Sequence, residues 1–263
     1  MNIPFYKYQG TGNDFILIDN RTGIANHLSQ PTIEKWCDRK FGIGADGLML
    51  LQNKEGFDFE MVYYNSDGNL TGMCGNGGRC ITAFAQFLGI LKENKAYFLA
   101  VDGPHEALLD GDSYVELKMI DVSANYNPQE AIFLDTGTLH HVEFVANVDA
   151  IDVYQEGKAI RYSPTYQKEG VNVNFVELTK PYHLKVATYE RGVEDETLSC
   201  GTGVTAAAIA YQMQEQPNQS PNPVHIKTKG GNLKVRFQQK NNSFYDIWLC
   251  GPATQVFSGT IAE

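Results

Sequence analysis

The feature that most constrains this chain is a motif that occurs twice. MCGNGGRC, residues 73–80, places Cys74 at the mouth of a glycine-rich turn, and SCGTGVTAAAIAYQM, residues 199–213, places Cys200 in the same setting. Behind the first copy Ile81, Ala83, Phe84, Ala85, Phe87 and Leu88 cover nearly every face of a helix, and the second copy continues the same way. A helix without a polar face must be buried, so each copy predicts a central helix wrapped by other elements. Downstream, DGPHEALLDGDSYVEL and KGGNLKVRFQQKNNSFYDIWL read as turn-linked strands, with Gly103 and Gly230 at matching distances behind the two cysteines. A chain of 263 residues suits about two domains of roughly 100 to 150 residues each. The expectation is two structural repeats, each presenting one helix-capping cysteine to a site between two domains.

One such cysteine on its own would equally suit a small buried side chain beside a tight turn. The second copy decides between the readings. Gly75, Gly77 and Gly78 let backbone amides come close to a ligand, and the free N–H groups of a first helical turn favour negative charge. A thiol placed there has its pKa lowered. Two such thiols suit proton transfer at carbon, one group removing a proton from one face and the other delivering one to the opposite face. The α-carbon is a far weaker acid than any side chain, so preorganised amide donors must stabilise the developing carbanion. That chemistry asks for no cofactor and no metal. No P-loop, Rossmann fingerprint or zinc-type CxxC spacing occurs, and Gly42 and Gly44 form only a lone G-x-G.

Charge and cysteine count narrow the class further. A formal net charge of −10 with scattered Lys and Arg argues against nucleic acid or an anionic membrane as partner. No apolar run approaches the ~18 to 20 residues of a membrane span, and MNIPFYKYQG lacks a signal-like apolar core. Five cysteines make a disulfide framework an unsuitable reading, and reduced thiols fit a cytoplasmic protein. Cys37, Cys80 and Cys250 are assigned to packing.

Along the chain, Gly10, Gly12 and Asn13 form a loop before a short strand at Phe15–Asp19, residues 31–40 read as a helix, and FGIGADGLML turns into a strand. Residues 57–64 alternate as a strand, and the NSDGN turn delivers Asn65 toward Cys74. Further strands are expected over 97–101, 106–110, 113–119, 131–137, 139–145, 171–178 and 183–192, with a helix or loop near 148–161. An acidic loop at Glu194, Asp195 and Glu196 precedes Cys200, and the Pro-rich residues 214–223 form a surface connection.

With those segments in order, the chain resembles the diaminopimelate epimerase family over essentially its whole length. GTGNDFILID, GIGADG, YYNSDGNLTGMCGNGGRC, GTLHHV, GVNVNF, YERGVEDETLSCGTG and GPATQVFSG carry the resemblance. It implies an α/β (α+β) fold of two pseudo-symmetric domains, each a mixed β-sheet or barrel around a central helix, with the active site in the interdomain cleft. The domains are expected at 1–119, with a returning C-terminal strand at 251–263, and at 120–250. The implied activity is cofactor-independent interconversion of LL- and meso-diaminopimelate, on the route to lysine and peptidoglycan precursors, by a homodimer. By the same resemblance Cys74 and Cys200 are the two catalytic bases. Asn13, Asn65 and Asn172 bind substrate, Gly75 with Asn76 and Gly201 with Thr202 hold the α-carboxylate, and Glu190 with Arg191 grip the distal amino-acid centre. His140 and Thr138 support the site.

The chain departs from the family pattern at two binding positions. Thr138 stands where many members have Asn, and Gly47 where some have Gln. Three rival readings are a proline racemase relative, a phenazine-type isomerase of the same fold, and a thiol redox protein pairing Cys74 with Cys200. GNDF and YERG favour the diaminopimelate branch over the first, the cysteine pair speaks against the second, and the absence of a CxxC speaks against the third.

Overall fold

A computed structural model describes residues 2–111, 113–124, 131–215 and 223–262. It divides into two compact units, one of residues 1–117 with 251–263 and the other of residues 118–250. Most of the Pro-rich connection expected at 214–223 lies outside the described residues.

The first unit contains β1 (Asn2–Gly10), β2 (Asn13–Asp19), α1 (Gln30–Cys37), β3 (Gly47–Gln52), β4 (Phe59–Asn65), β5 (Leu70–Thr71), α2 (Gly75–Phe87), β6 (Lys95–Ala100), β7 (Gly103–Asp110) and β8 (Tyr114–Lys118). The second contains β9 (Val122–Ser123), β10 (Ile132–Asp135), β11 (Leu139–Phe144), α3 (Val153–Arg161), β12 (Asn172–Lys180), β13 (His183–Glu190), β14 (Asp195–Thr197), α4 (Gly201–Glu215), β15 (Val224–Thr228), β16 (Gly231–Lys240) and β17 (Ser243–Pro252). A last strand, β18 (Thr254–Ala262), pairs antiparallel with β1 and so belongs to the first unit.

The two units repeat strand for strand. In the first, β1–β2 is antiparallel, β2–β3 parallel, β3–β4 antiparallel, β4–β6 parallel, and β6–β7 and β7–β8 antiparallel. In the second, β10–β11, β11–β12, β12–β13, β13–β15 and β15–β16 follow the same sequence of directions, and β16–β17 closes it antiparallel. Each parallel step needs a crossover, and α1 and α3 supply the first of them in each unit. The mixed sheet wraps the second crossover helix: α2 touches β1, β2, β3 and β7, and α4 touches β10, β11, β12, β13, β15 and β16.

Both central helices are buried along nearly their whole length, as their all-round apolar sequence requires. Phe87 is the exception. It is 56% exposed because α2 emerges from the sheet in its last turn, where the ring leans on Tyr6. The helix expected over 31–40 ends at Cys37, since Asp38 turns extended and its carboxylate accepts the N–H groups of Lys40 and Phe41, both at 2.7 Å. The acidic segment before Cys200 is not wholly loop. Asp195–Thr197 pairs with β13, where Thr188 faces Thr197 and Glu190 faces Asp195. The β1–β2 hairpin was legible only as a loop; Thr11 and Gly12 both take positive φ, 51° and 89°, the twist that suits a two-residue hairpin.

Candidate active site

Each unit sets its cysteine at the start of its own central helix. Cys74 is the N-cap residue of α2 in extended conformation, and its carbonyl accepts the N–H of Gly78 at 2.7 Å. Cys200 precedes α4, and its carbonyl accepts the N–H of Val204 at 3.0 Å. The other three cysteines are buried in the core, and burial pushes the thiols of Cys37 and Cys80 up to about 12. Those two sit as packing groups, as expected.

In the first unit the Cys74 thiol donates to Asn13 Oδ1 at 3.5 Å, and Asn76 Nδ2 donates to the same oxygen at 3.3 Å. Asn13 Nδ2 donates to Asp46 Oδ2 at 2.6 Å. A carboxylate only accepts, so Asp46 fixes the amide with its oxygen toward sulfur. Asp46 is itself gripped by Arg39 at 2.8 Å, and Arg39 holds Asp14 at 2.6 Å. Lys7, 5% exposed, completes the cluster with Asp14 and the Gly44 carbonyl. Burial raises the Asp14 carboxyl, but hydrogen bonds from Arg39 and Lys7 outweigh it and bring the pKa down to about 2. Beneath the turn, the fully buried Arg79 donates to Asn76 Oδ1, Thr11 Oγ1 and the Gly75 carbonyl. Thr11, a β-branched residue in the left-handed region, is thereby tied to α2; such strain persists only where its surroundings enforce it.

In the second unit Cys200 Sγ lies 3.4 Å from Thr202 Oγ1, which lies 3.1 Å from Thr138 Oγ1. Thr138 also meets His140 Nε2 at 2.9 Å and Asn172 Nδ2 at 3.2 Å. His140 is fully buried, and that desolvation, reinforced by the charge of Arg191, depresses it to about 3. Asn172 spends both amide protons on Thr138 and the Leu139 carbonyl and accepts the Arg191 N–H at 2.8 Å. Glu190 accepts from Thr197 Oγ1 at 2.8 Å, and the Arg191 guanidinium reaches the Glu169 carbonyl at 2.8 Å.

The sequence-predicted residues thus fall into two groups. Asn13, Asn76 and Gly75 gather at Cys74; Thr138, His140 and Asn172 gather with Gly201 and Thr202 at the N-terminus of α4, the Arg191 N–H joins them through Asn172, and the Glu190 carboxylate accepts from Thr197. Asn65 ends β4 with its side chain exposed, opposite Gly47 in the register. Gly47 has a local reason: a Cβ there would stand 2.5 Å from the Tyr64 carbonyl oxygen and 2.6 Å from the Tyr63 ring. Sequence reasoning missed Asp46, Arg39, Lys7, Arg79 and Asn174. The last had a readable signal, since Asn172 and Asn174 alternate onto one face of a buried strand, where an amide needs partners.

The family model for diaminopimelate epimerase matches residues 5–119 and 132–256. A diaminopimelate epimerase of Flavobacterium psychrophilum is 52% identical over 98% of this chain and 100% of its own length. The chain belongs to the diaminopimelate epimerase family. A diaminopimelate epimerase of Chlorobaculum tepidum is 44% identical over 96% of this chain and 98% of its own. Among solved structures, a phenazine biosynthesis protein of the PhzF family from Bacillus anthracis superposes with a TM-score of 0.78 at 13% identity, covering both chains fully. A probable proline racemase from Agrobacterium radiobacter gives 0.69 at 14%, over 99% of this chain and 93% of that one. At such identities these two show the shared fold alone. The two-domain mixed α/β fold expected from the resemblance is the fold found, and the phenazine-type and proline racemase branches are neighbours in architecture while the sequence lies with the epimerases.

Proposed function

We propose that Cys74 and Cys200 are the two bases of this epimerase, one for each face of the substrate α-carbon. The protein is an isomerase acting on diaminopimelate. In one direction a thiolate takes the α-proton and the other thiol gives its proton to the opposite face; the enzyme is left with the two protonation states exchanged, ready for the reverse. The observation that carries this reading is the duplicated cysteine at the start of a buried helix, whose N-terminal dipole end suits a carboxylate. Gly75 with Asn76 and Gly201 with Thr202 stand at that end of each helix.

Asn172 has no amide proton left for substrate and acts through the remaining lone pair of Oδ1 while bracing Thr138 and Arg191. Glu190 and Arg191 suit an ammonium and a carboxylate at the distal centre, with Asn13 and Asn65 completing recognition. His140, held neutral, supports Thr138 rather than accepting a proton. Two assembly features belong to the same reading. A cytoplasmic enzyme accords with five free cysteines, and a homodimer accords with the exposed Val256 and Phe257 on β18. No helix among the described residues is long and apolar enough to cross a membrane.

Proton exchange from solvent deuterium decides the roles. Cys74→Ala and Cys200→Ala are each expected to abolish epimerisation, whereas each single serine variant keeps α-proton exchange or elimination with one stereoisomer. Full epimerisation by either alanine variant sinks the two-base reading.

A further inference from the structure

The residue that follows the Thr-Gly turn differs between the repeats: Thr11-Gly12 leads to Asn13, and Thr136-Gly137 leads to Thr138. Both residues stand beside the cysteine-bearing helix, and their hydrogen bonds run in opposite senses.

In the second unit the sense is set from the far end. The Thr188 hydroxyl donates to Asn174 Oδ1 at 2.9 Å, and Asn174 Nδ2 donates to the His141 carbonyl at 3.1 Å, so the amide cannot be turned over. Its other amide proton points at His140 Nδ1, 3.0 Å away. An amide nitrogen does not accept, so Nδ1 is the bare nitrogen and the neutral ring carries its proton on Nε2. Nε2–H therefore donates to Thr138 Oγ1, which also accepts from Asn172. With both lone pairs taken, Thr138 donates its own proton to Thr202 Oγ1. Thr202, having accepted that hydrogen bond, keeps its own hydroxyl hydrogen to give to Cys200 Sγ, 3.4 Å away. A chain of four donors ends on sulfur as acceptor.

In the first unit the sense is reversed. Asp46 takes the amide protons' side of Asn13, and the oxygen faces Cys74, which donates to it. An amide oxygen stabilises a thiol and repels a thiolate. We propose that the resting enzyme holds Cys200 as thiolate and Cys74 as thiol, and that Thr138 is the positioning residue that sets this asymmetry by delivering a donor to Cys200 through Thr202.

Ionisable groups on the elements packed against α4 are engaged elsewhere. Asp135 accepts the Gly137 N–H, His141 meets Tyr166, Glu190 accepts from Thr197, Arg191 donates to Glu169, and Glu196 pairs with Lys229. The donor chain reaches the Cys200 sulfur itself. Hydrogen bonding to a charged form lowers its pKa, and a bond to sulfur donated by a hydroxyl does so for a thiolate.

This inference rests on the two-base reading for its meaning but not for its test, because the thiols are titrated without substrate. Native enzyme is alkylated with iodoacetamide across a pH series, and the peptides bearing Cys74 and Cys200 are quantified separately. Cys200 is expected to titrate below Cys74. Thr138→Val is expected to raise the midpoint of Cys200 alkylation by about one pH unit, an approximately tenfold loss at pH values below both midpoints, while leaving the Cys74 profile in place. Thr138→Ser restores it, which a merely structural loss would not allow. A second readout leaves position 138 untouched: ultraviolet thiolate absorbance at neutral pH disappears in Cys200→Ser and persists in Cys74→Ser. Cys74 titrating first, absorbance lost only with Cys74→Ser, or a Cys200 profile indifferent to Thr138→Val overturns the proposal. Loss of epimerisation in the alanine variants, by contrast, bears on the two-base reading alone.

Discussion

The second glycine of each Cys-Gly-x-Gly motif is required for a different reason, and alanine separates the two. At Gly77 a Cβ would stand 2.2 Å from Met49 Cε, the far end of a flexible side chain. At Gly203 it would stand 2.4 Å from Asn174 Oδ1, 3.2 Å from Cys200 Cβ and 3.3 Å from Thr188 Oγ1. Alanine gains about 1 kcal/mol over glycine within a helix, and this applies equally to α2 and α4. Against it, Gly77→Ala sets a repacking cost of about 1 kcal/mol in a core that methionine adjusts well, so the net change is near zero. Gly203→Ala displaces an amide held by His140, His141 and Thr188. Losing two such bonds and stranding a buried polar atom costs about 3 to 5 kcal/mol, a net destabilisation of about 2 to 4 kcal/mol.

Thermal unfolding is the assay. Gly203→Ala is expected to lower the Tm by about 5 to 15 °C and Gly77→Ala by no more than about 4 °C. Epimerase activity should fall steeply in Gly203→Ala, because the displaced Asn174 orients His140. Equal losses in the two variants, or a larger loss in Gly77→Ala, would refute the reasoning that the hydrogen-bonded network, and not the helix, imposes Gly203.

Arg191→Ala and Arg191→Lys are expected to depress kcat/KM for diaminopimelate while leaving the thiol titrations in place; lysine, which lacks the distal carboxylate, should be a poor substrate. Comparable kcat/KM for lysine and diaminopimelate would contradict a recognition role for Arg191. Acid should weaken the fold in two windows. His140 is held near 3 against an ordinary 6.5, so the unfolded chain takes a proton that the folded one refuses, and stability falls as pH drops below 6.5 by up to about 1.4 kcal/mol per pH unit. Asp14, held near 2 against an ordinary 3.8, contributes stability above 3.8 that is lost below it. Stability measured from pH 7 to 5 should decline less in His140→Gln than in the wild type, and parallel profiles would rule out His140 as the cause.

What the sequence made legible was carried by local chemistry. An all-round apolar helix behind a cysteine, repeated once, needs no tertiary information to predict two central helices, and family-order motifs placed the thiols and their neighbours. The Lys7–Asp14–Arg39–Asp46 cluster was not legible, because its members come from β1, β2 and the α1–β3 connection and meet only when β1, β2 and β3 pair. Nothing in DRKFGIGADG announces that Asp46 will orient an amide from a different strand. The end of α1 was misplaced for a related reason: Asp38 satisfies two N–H groups with its own side chain, and a helical pattern in the sequence does not register that alternative.

Thr138 shows how a departure from a family pattern acquires meaning only inside the fold. Read as sequence, a threonine in place of asparagine removes one amide from a binding loop. Within the hairpin it occupies the place that Asn13 takes in the other repeat, and it has a hydroxyl where Asn13 has a fixed carbonyl oxygen. A hydroxyl accepts two bonds and gives one, so it transmits the polarity imposed by Asn174 and His140 toward Cys200. Asparagine in the same place would need its amide proton, not its oxygen, facing Thr202 to do so, and nothing as rigid as Asp46 is present beside Thr138 in its hydrogen-bond set to enforce that orientation. The pseudo-symmetric fold makes the two thiols alike in placement, and the side chain after each Thr-Gly turn makes them unlike in protonation, which a two-base reaction starting from one resting state requires.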